Sequence, residues 1–224
     1  MAGTVVHAPA VEPWRRRLYL PAYRVGAAAR YAQTTRQTVT RWHHGTEAGA
    51  AGMPEREPRE ALSYFQLIEV AVVAAFRRKG VSLKAVRTAR DYAAQQFECE
   101  YPFAQLEFAR AGRELLLNLG DLLPGDEEGA IVASKWGQRA WDEFLPEFEY
   151  GEGDVVVQWH VRGKESPILI DPRIAFGAPA IDGIPTWAIK GRREAGETLD
   201  DIVDDFDLKV EQVIAALEFE GMAA

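Results

Sequence analysis

Apolar positions recur at helical spacing near the start of the chain and predict two short helices between residues 23 and 45. The first is predicted over Val25–Tyr31 and the second over residues 35–43, with a turn at Ala32–Gln33 between them. Gly45 follows the second helix, and glycine is common just after a helix end. Two short helices around a tight turn are predicted to form a helix-turn-helix.

The second of these helices has two chemically different faces. Val39 and Trp42 share one stripe and should pack inward, and either Thr34 or Thr35 can cap the helix. The outward side chains are of types that bond to bases and phosphates. With their neighbours they are the predicted DNA contacts: Arg24, Arg30, Thr35, Arg36, Gln37, Thr40, Arg41 and His44. Arg15–Arg17 can hold further phosphates. The alternative is a solvated surface helix beside an aromatic core residue.

Two longer periodic helices are predicted after residues 46–60, whose Ala, Gly and Pro content suits a wing. The first lies over residues 62–79 and ends at Gly80. The second starts at Ser82, whose hydroxyl can cap it. The basic run Arg77–Lys79 either complements the negative end of the first helix or contacts phosphate.

The pattern is weaker in the middle of the chain. Apolar runs at residues 114–119, 154–161 and 166–171 predict strands, and residues 134–150 predict an amphipathic helix interrupted near Pro146. We expect a small sheet of two or three strands with a helix. The aromatic residues of this region form either a core, which is their more common environment, or a surface for a partner: Trp136, Trp141, Phe144, Phe148 and Trp159.

Three helices with clear end signals are predicted in the C-terminal segment. The first lies over Thr186–Glu194. The second starts at a capping box formed by Thr198 and Asp201, and the third lies over residues 210–218. The unit has the shape of a helix-turn-helix, but residues 197–220 hold nine acidic residues against one lysine. Because this surface would repel phosphates, it is either simply solvated or it docks a protein partner or a second copy of the chain.

Charge is distributed unevenly along the 224 residues. The formal net charge is −8, yet residues 1–90 hold 15 Lys and Arg against 6 Asp and Glu, which leaves 11 against 28 in residues 91–224. A basic first half beside an acidic remainder is typical of a nucleic-acid-binding end joined to another kind of unit. The distribution therefore favours DNA contact over a merely solvated helix.

The composition also argues against several other functions. The longest apolar run, Val70–Phe76, is far shorter than the roughly 20 residues that span a bilayer, and the arginines near the N-terminus stand in the wrong order for a secretory signal. The single cysteine, Cys99, excludes an internal disulfide, and the histidines are too scattered for a metal site apart from the adjacent pair His43 and His44, whose side chains diverge on a helix. No glycine-rich phosphate loop or G-x-S-x-G motif occurs. We expect a cytoplasmic protein that is not an enzyme, with no catalytic residue, cofactor, metal or membrane partner.

The segment YRVGAAARYAQTTRQTVTRWHHG, a wing-like gap and then LSYFQLIEV and FRRKGVSLKAVRTA resemble the N-terminal module of MerR-like winged-helix regulators. This resemblance covers about residues 20–95. It ends where that family continues into a long dimerising coiled coil, because Pro102 and Gly112 interrupt the chain here. The resemblance implies a winged helix-turn-helix that binds DNA.

The segment DPRIAFGAPAIDGIPTWAIKGRREAGETLDDIVDDFDLKVEQVIAALEFE resembles the family of domains of unknown function 433, DUF433, over about residues 168–220. The resemblance implies a VapB-like antitoxin that is encoded beside a PIN-like ribonuclease toxin. It also implies that the toxin holds magnesium on clustered carboxylates, with which an inserted guanidinium could compete. The candidate toxin-contacting residues are Arg173, Arg192 and Arg193.

The predicted fold is mainly α with a small β-sheet. A winged helix-turn-helix occupies residues 1–95, an α+β connecting or dimerisation region residues 96–165, and a three-helix DUF433-like domain residues 166–224. The predicted function is a homodimeric antitoxin that binds operator DNA, neutralises a cognate PIN-like ribonuclease toxin and represses its own operon. One alternative is a stand-alone MerR-like transcription regulator whose middle region senses a small molecule. Another is a dimerising scaffold, which the basic first half disfavours.

Overall fold

The computed structural model of the protein describes residues 12–44, 53, 60–105, 108, 143–144 and 147–223. Within these ranges the chain forms eight α-helices and one five-stranded antiparallel sheet. The prediction of a mainly helical protein with a small sheet is therefore confirmed. None of the described helices combines the length and the apolar run that crossing a bilayer requires.

The first half of the chain contributes five helices, and the two short central ones lie where the pattern predicts them. Their bounds are α1 Pro13–Arg17, α2 Val25–Tyr31, α3 Arg36–His44, α4 Tyr64–Arg78 and α5 Leu83–Gln96. A short 3-10 helix, Pro102–Ala104, follows α5. Apart from Met53 and Glu60, the predicted wing over residues 46–60 lies outside the described residues.

Helices α2 and α3 pack against each other around a tight connection. Gln33 makes this turn possible by adopting a left-handed conformation, with φ of 54°. Of the two threonines predicted as possible caps, Thr35 is the cap: its Oγ1 accepts a hydrogen bond of 3.1 Å from the backbone N–H of Thr38. Val39 and Trp42 are buried, which confirms the predicted inward face.

Helices α4 and α5 form the apolar centre of the first half. A reciprocal capping box between Ser63 and Gln66 begins α4. Gly80, with φ of +87°, ends the helix, and Ser82 caps α5 as predicted. Every residue of α4 from Tyr64 to Phe76 except Gln66 is buried, so this helix is surrounded by protein on most sides.

A buried ion pair joins α4 to α5. The side chains of Glu69 and Arg90 are 1% and 7% exposed, and their Oε2 and Nε atoms lie 2.5 Å apart. The other carboxylate oxygen of Glu69 accepts from the backbone N–H of Phe103 at 2.9 Å. Burial raises the pKa of Glu69, and the charge of Arg90 opposes this shift. These bonds fasten the 3-10 helix to the α4–α5 corner.

The sheet is a simple antiparallel meander in the order β1-β2-β3-β4-β5. Its strands are β1 Phe148–Gly151, β2 Val155–His160, β3 Leu169–Ile170, β4 Ala180–Ile181 and β5 Ile184–Pro185. The sheet has more strands than the two or three predicted. The predicted strands at residues 154–161 and 166–171 contain β2 and β3, whereas the one at residues 114–119 lies outside the described residues.

The predicted amphipathic helix over residues 134–150 is wrong at its end. Phe148–Gly151 is strand β1, in which Phe148 faces Trp159 across the β1–β2 pair. The alternation of Phe148, Glu149 and Tyr150 fits a strand as well as a helix, and pairing with β2 decides between them. Phe144, Phe148 and Trp159 are buried, so the core interpretation holds for them, while Trp136 and Trp141 lie outside the described residues.

Three helices close the chain: α6 Thr186–Glu194, α7 Leu199–Phe206 and α8 Val210–Phe219. They pack on one another. The predicted capping box is present, since Thr198 accepts from the N–H of Asp201 while the Asp201 carboxylate accepts from that of Thr198. Ile202, Val213 and Leu217 are buried between the helices, whereas Val210 is 42% exposed.

The two halves of the chain are joined by specific polar contacts as well as by a shared core. Tyr23 donates its hydroxyl to the carbonyl of Gly177 at 3.0 Å, and Arg17 donates to the carbonyl of Pro172 at 2.9 Å. The sheet crosses the predicted domain limit at residue 165, because β2 pairs with β3. The basic first half therefore rests directly on the C-terminal segment.

Candidate nucleic-acid interface and partner surfaces

The outward face of α3 carries the side chains predicted to contact DNA. Arg36, Gln37, Arg41 and His44 are exposed along it, and Thr40 is half-buried among them. Thr35, at the start of the helix, and Arg24, just before α2, are also exposed. The buried Val39 and Trp42 hold the opposite side of α3 against the body of the protein, so that these polar groups point into solvent. The arrangement can meet the edges of bases in a groove of DNA.

Arg30 differs from the other predicted DNA contacts because it already has partners within the chain. Its Nη1 donates to the carbonyl of Phe219 at 2.8 Å and lies 3.0 Å from the carboxylate of Glu220. The guanidinium also lies over the rings of Tyr31 and Phe219, at 5.1 and 5.0 Å from their centroids. Thr186 donates its hydroxyl to the same carboxylate at 2.6 Å. Arg30 thus connects α2 to the last helix.

The other basic residues near this interface are engaged to different degrees. Arg15 forms a 2.8 Å ion pair with Glu152, and Arg17 is bonded to Pro172, whereas Arg16 is exposed. Arg77 donates to the carbonyl of Val81 at 2.5 Å and Arg78 to that of Ala32 at 2.7 Å. These bonds tie the end of α4 to its neighbours, and the choice between complementing the helix and contacting phosphate stays open for residues 77–79.

The three arginines predicted to contact a toxin are also bonded inside the chain. Arg173 makes a two-pronged bond to the carboxylate of Asp171, through Nε at 2.9 Å and Nη2 at 2.5 Å. This bond raises the pKa of Arg173. Arg192 pairs with Glu197 and Asp205, and Arg193 donates to the carbonyl of Glu197 at 2.8 Å. These acceptors occupy part of each guanidinium's five N–H donors, so they would compete with a partner's acceptors.

Two large exposed aromatic residues lie near these arginines in the chain and were missed by sequence reasoning. Phe176 is 79% exposed and Trp187 is 62% exposed. Phe176 follows Ala175 in a turn where both residues adopt the left-handed conformation, with φ of 56° and 47°. Hydrophobicity alone would assign both aromatics to the core, so no signal in the sequence could have identified them as surface residues.

The turn that presents Phe176 is held firmly from behind. Gly177 follows with φ of +78°, and its carbonyl accepts the buried Tyr23 hydroxyl. The guanidinium of Arg17 lies 4.6 Å from the centroid of the Phe176 ring. Left-handed residues other than glycine cost free energy and are concentrated at functional sites. Phe176 and Arg17 together form a second candidate surface, which is aromatic and basic, whereas helices α7 and α8, which follow it in the chain, are acidic.

Comparison with known proteins finds sequence similarity in both halves of the chain. Residues 168–219 match the family described as "Protein of unknown function (DUF433)". The chain is 23% identical over 227 residues to "Putative antitoxin VapB45" of Mycobacterium tuberculosis (strain ATCC 25618 / H37Rv), an alignment that covers 90% of this chain and 95% of that protein.

A solved structure shares the fold. The X-ray crystal structure of Rv2018 from Mycobacterium tuberculosis superposes with a TM-score of 0.76 at 21% identity, covering 90% of this chain and 99% of that one. The shared fold therefore takes in most of this chain. Residues 168–219 are thus similar to the DUF433 family, and the similarity to VapB45 extends well beyond that segment.

Proposed function

We propose that this protein is a DNA-binding antitoxin, which neutralises a cognate PIN-like ribonuclease toxin and represses its own operon. The observation that carries the proposal is the similarity to VapB45, because it runs over 90% of this chain and includes both the basic and the acidic halves. In this proposal the protein is a non-enzymatic regulator. It acts as a homodimer, since two copies match the symmetry of an operator with two half-sites.

The DNA-binding part of the proposal rests on α3. A MerR-like winged helix-turn-helix would place this helix in the major groove, with Arg36 on a guanine and Gln37 on an adenine. Thr35, Thr40, Arg41 and His44 would make the neighbouring base and phosphate contacts. Arg24 would hold a phosphate from the adjacent helix, as would Arg16. We leave Arg30 out of this set, because its guanidinium is bonded to the C-terminal helix.

The toxin-binding part of the proposal rests on the DUF433 segment. Arg173, Arg192 and Arg193 stay candidate contacts, but acceptors within this chain compete with the toxin for each guanidinium. Phe176 and Trp187 face no such competition, since both rings are largely in solvent. Exposed aromatic side chains provide much of the binding energy at protein interfaces. We therefore add these two residues to the proposed toxin-binding surface.

The proposal is tested by co-expressing the chain with the product of the adjacent gene. We expect a stable complex by native mass spectrometry, and growth arrest when the neighbour is expressed alone. A dimer that does not bind a harmless neighbour would overturn the antitoxin function. That result would favour the stand-alone MerR-like regulator, and retained small molecules would then be sought.

The surface that binds the toxin is tested with single alanine variants in the same co-expression system. Phe176→Ala and Trp187→Ala are expected to lose protection against the toxin, each with a cost in binding of about 2 kcal/mol or more. Tyr92→Ala is the matched control, because Tyr92 is an exposed aromatic residue of α5. Full protection by both variants would exclude these rings from the interface. Full protection by Arg173→Ala, Arg192→Ala and Arg193→Ala would exclude the inserted guanidinium.

A further inference from the structure

A cleft of about 440 Å³ lies beside α3, between this helix and the corner where α4 meets α5. Its walls come from three places: the connection before α3, one side of α3 itself, and the last turn of α4 with the first residue of α5. Thr38 and Arg41 face the cleft from α3, and Arg77 and Arg78 face it from α4. The volume is within the range of small-molecule sites.

The floor and the rim of the cleft differ in chemistry. Trp42, Ala74 and Leu83 supply an apolar floor, on which a sugar or a flat ring could rest. Gln33, Thr34 and the residues facing the cleft from α3 and α4 supply hydroxyl, amide and guanidinium donors. No carboxylate is among the described residues that line the cleft; Glu147 interacts electrostatically with Arg78 but is not part of the wall. Such a site favours an anion that carries an organic group.

Two of the three guanidinium groups are held in position before any ligand arrives. Arg77 uses Nη1 to bond the carbonyl of Val81, and Arg78 uses Nη1 to bond that of Ala32. A guanidinium has five N–H donors, so these bonds fix its orientation and still leave donors for an anion. Arg78 is partly buried, and burial lowers its pKa, so an anionic partner would compensate for lost hydration.

Arg41 is the third guanidinium group of the cleft and lies on the α3 wall. It differs from Arg77 and Arg78 in having no bond to a backbone carbonyl among the described residues. It is exposed, and the described part of the chain offers it no hydrogen bond or ion pair. The N-terminal ends of α3 and α5 also lie at the cleft, near Thr34 and Leu83, and helix N-termini attract negative charge. Three guanidinium groups and two helix ends thus act on the same small volume.

We propose that this cleft binds a phosphate ester, with the phosphate on Arg41, Arg77 and Arg78 and the organic part on the Trp42 floor. The ester has two sources. It is either a free nucleotide or a sugar-phosphate of the DNA backbone that passes beside α3. The site goes beyond the proposed function, because a free nucleotide would bind there whether or not the protein binds an operator.

The position of α3 is compatible with the DNA backbone as the source of the phosphate ester. Arg41 lies at the border between the exposed face, with Arg36 and Gln37, and the side of the helix that forms the cleft. A duplex whose bases meet that exposed face would bring one phosphate strand past the cleft. Arg77 and Arg78 would then hold a phosphate, in addition to stabilising the end of α4.

The test is calorimetric titration of the full chain with inorganic phosphate, adenosine monophosphate and a short DNA duplex. We expect saturable binding of adenosine monophosphate and weaker binding of inorganic phosphate, which lacks a group for the apolar floor. Arg41→Gln and Arg77→Gln should each weaken the binding about tenfold or more, as expected for the loss of a charge-assisted hydrogen bond. Lys164→Gln is the matched control, because it removes one positive charge from an exposed position in the β2–β3 connection.

Folding is separated from binding by the choice of variants. Arg77→Gln removes a bond to Val81, so its melting temperature is measured with its affinity. Arg41→Gln removes no bond to the described residues, and its effect on affinity therefore reports the ligand. If both phosphate probes fail to bind and neither variant changes affinity for the duplex, the site does not exist.

The remaining outcomes identify the source of the phosphate. Displacement of adenosine monophosphate by the duplex would assign the cleft to the DNA backbone. In that case Arg77→Gln should reduce the slope of log affinity against log salt concentration by about 0.9, the value for one lost phosphate contact. Simultaneous binding of nucleotide and duplex would assign the cleft to a free nucleotide. Nucleotide binding without any affinity for DNA would preserve the site and remove the DNA-binding part of the proposed function.

Discussion

The α2–α3 pair and the α7–α8 pair have similar backbones and opposite charge. Each consists of two short helices, of seven and nine residues in the first pair and eight and ten in the second. Each connection contains one left-handed residue, Gln33 with φ of 54° and Asp207 with φ of 52°. Yet α3 exposes arginines, whereas α7 and α8 expose aspartates and glutamates. Backbone shape alone therefore does not predict a partner, and the charge of the exposed face is the more informative property.

The two pairs also differ in how their charges are used. Arg36 and Arg41 extend from α3 into solvent without a partner among the described residues. Near α7, by contrast, Arg192 is paired with Asp205, and acidic residues outnumber the single lysine over residues 197–220. An acidic surface repels a polyanion, while unpaired cations release counterions when DNA binds. Four predictions sharpen this comparison, from the largest expected effect to the smallest.

The largest effect is expected where the two halves meet. In Gly177→Ala the added Cβ would lie 2.2 Å from the hydroxyl of the buried Tyr23, and φ at this position is +78°. We expect the free energy of unfolding to fall by about 2–4 kcal/mol, from overpacking and left-handed strain together. Urea denaturation measures it. Gly183→Ala is the control: its φ is +86° but nothing lies within 4 Å of the new Cβ, so only the strain should appear. Equal losses in both variants would contradict the role of Tyr23.

The second effect concerns DNA affinity. Arg36→Ala should weaken specific binding to DNA upstream of the gene by about 1–3 kcal/mol, if Arg36 reads a guanine in the major groove. Asp204→Ala changes an exposed acidic residue of α7 and should leave the affinity unchanged or slightly higher. Fluorescence anisotropy with the operator and with a scrambled duplex distinguishes specific from general loss. Should Asp204→Ala weaken binding as much as Arg36→Ala, the contrast between the helix pairs would fail.

The third effect separates two arginines of the same region. Arg30→Ala removes the bond to the Phe219 carbonyl and the ion pair with Glu220, so we expect a loss of about 1–2 kcal/mol in unfolding free energy. The estimate is modest because the Arg30 side chain is 39% exposed and solvent screens the pair. Arg24→Ala, an exposed residue beside the same helix, should leave stability unchanged but weaken DNA binding. The reverse pattern would return Arg30 to the DNA interface.

The smallest effect is a dependence of stability on pH. Burial raises the pKa of Glu147 above the ordinary value of 4.5, although the hydrogen bond from Trp159 and the charge of Arg78 oppose this. A raised pKa in the folded state contributes stability below the ordinary value, and this is lost as pH rises through the folded value. The stability of the native chain relative to Glu147→Gln should therefore fall as pH increases from 4.5. Urea denaturation across this interval measures the difference. In Glu165→Gln, an exposed control, the profile should match that of the native chain.

Local signals predicted the helices well because each signal acts within a few residues. Val25–Tyr31 and Thr186–Glu194 have the predicted bounds, and Thr35, Ser82 and Thr198 cap the helices that follow them. Two-residue strands carry no such periodicity. The local signal for β4 and β5 is the Asp182–Gly183 turn between Ile181 and Ile184, because Asp-Gly favours a two-residue hairpin.

The candidate sites were predictable only in part. Residue type and spacing were sufficient to place Arg36, Gln37 and Arg41 on one exposed face, since the buried side of α3 is defined by Val39 and Trp42. They could not show that Arg30 bonds to Phe219, because the two residues are far apart in the chain. For the same reason the exposure of Phe176 and the cleft beside Trp42 were not predictable: both depend on how separate helices and turns pack.

The sequence by itself determined where the helices start and end, which sides of them are apolar and how charge divides along the chain. These properties depend on neighbouring residues, and hydrogen-bond caps and hydrophobic periodicity report them directly. Only the tertiary structure decided which arginines reach solvent and which are bonded to the other half. That choice depends on contacts between distant segments, so Arg30 and Arg36, six positions apart on adjacent helices, have different environments.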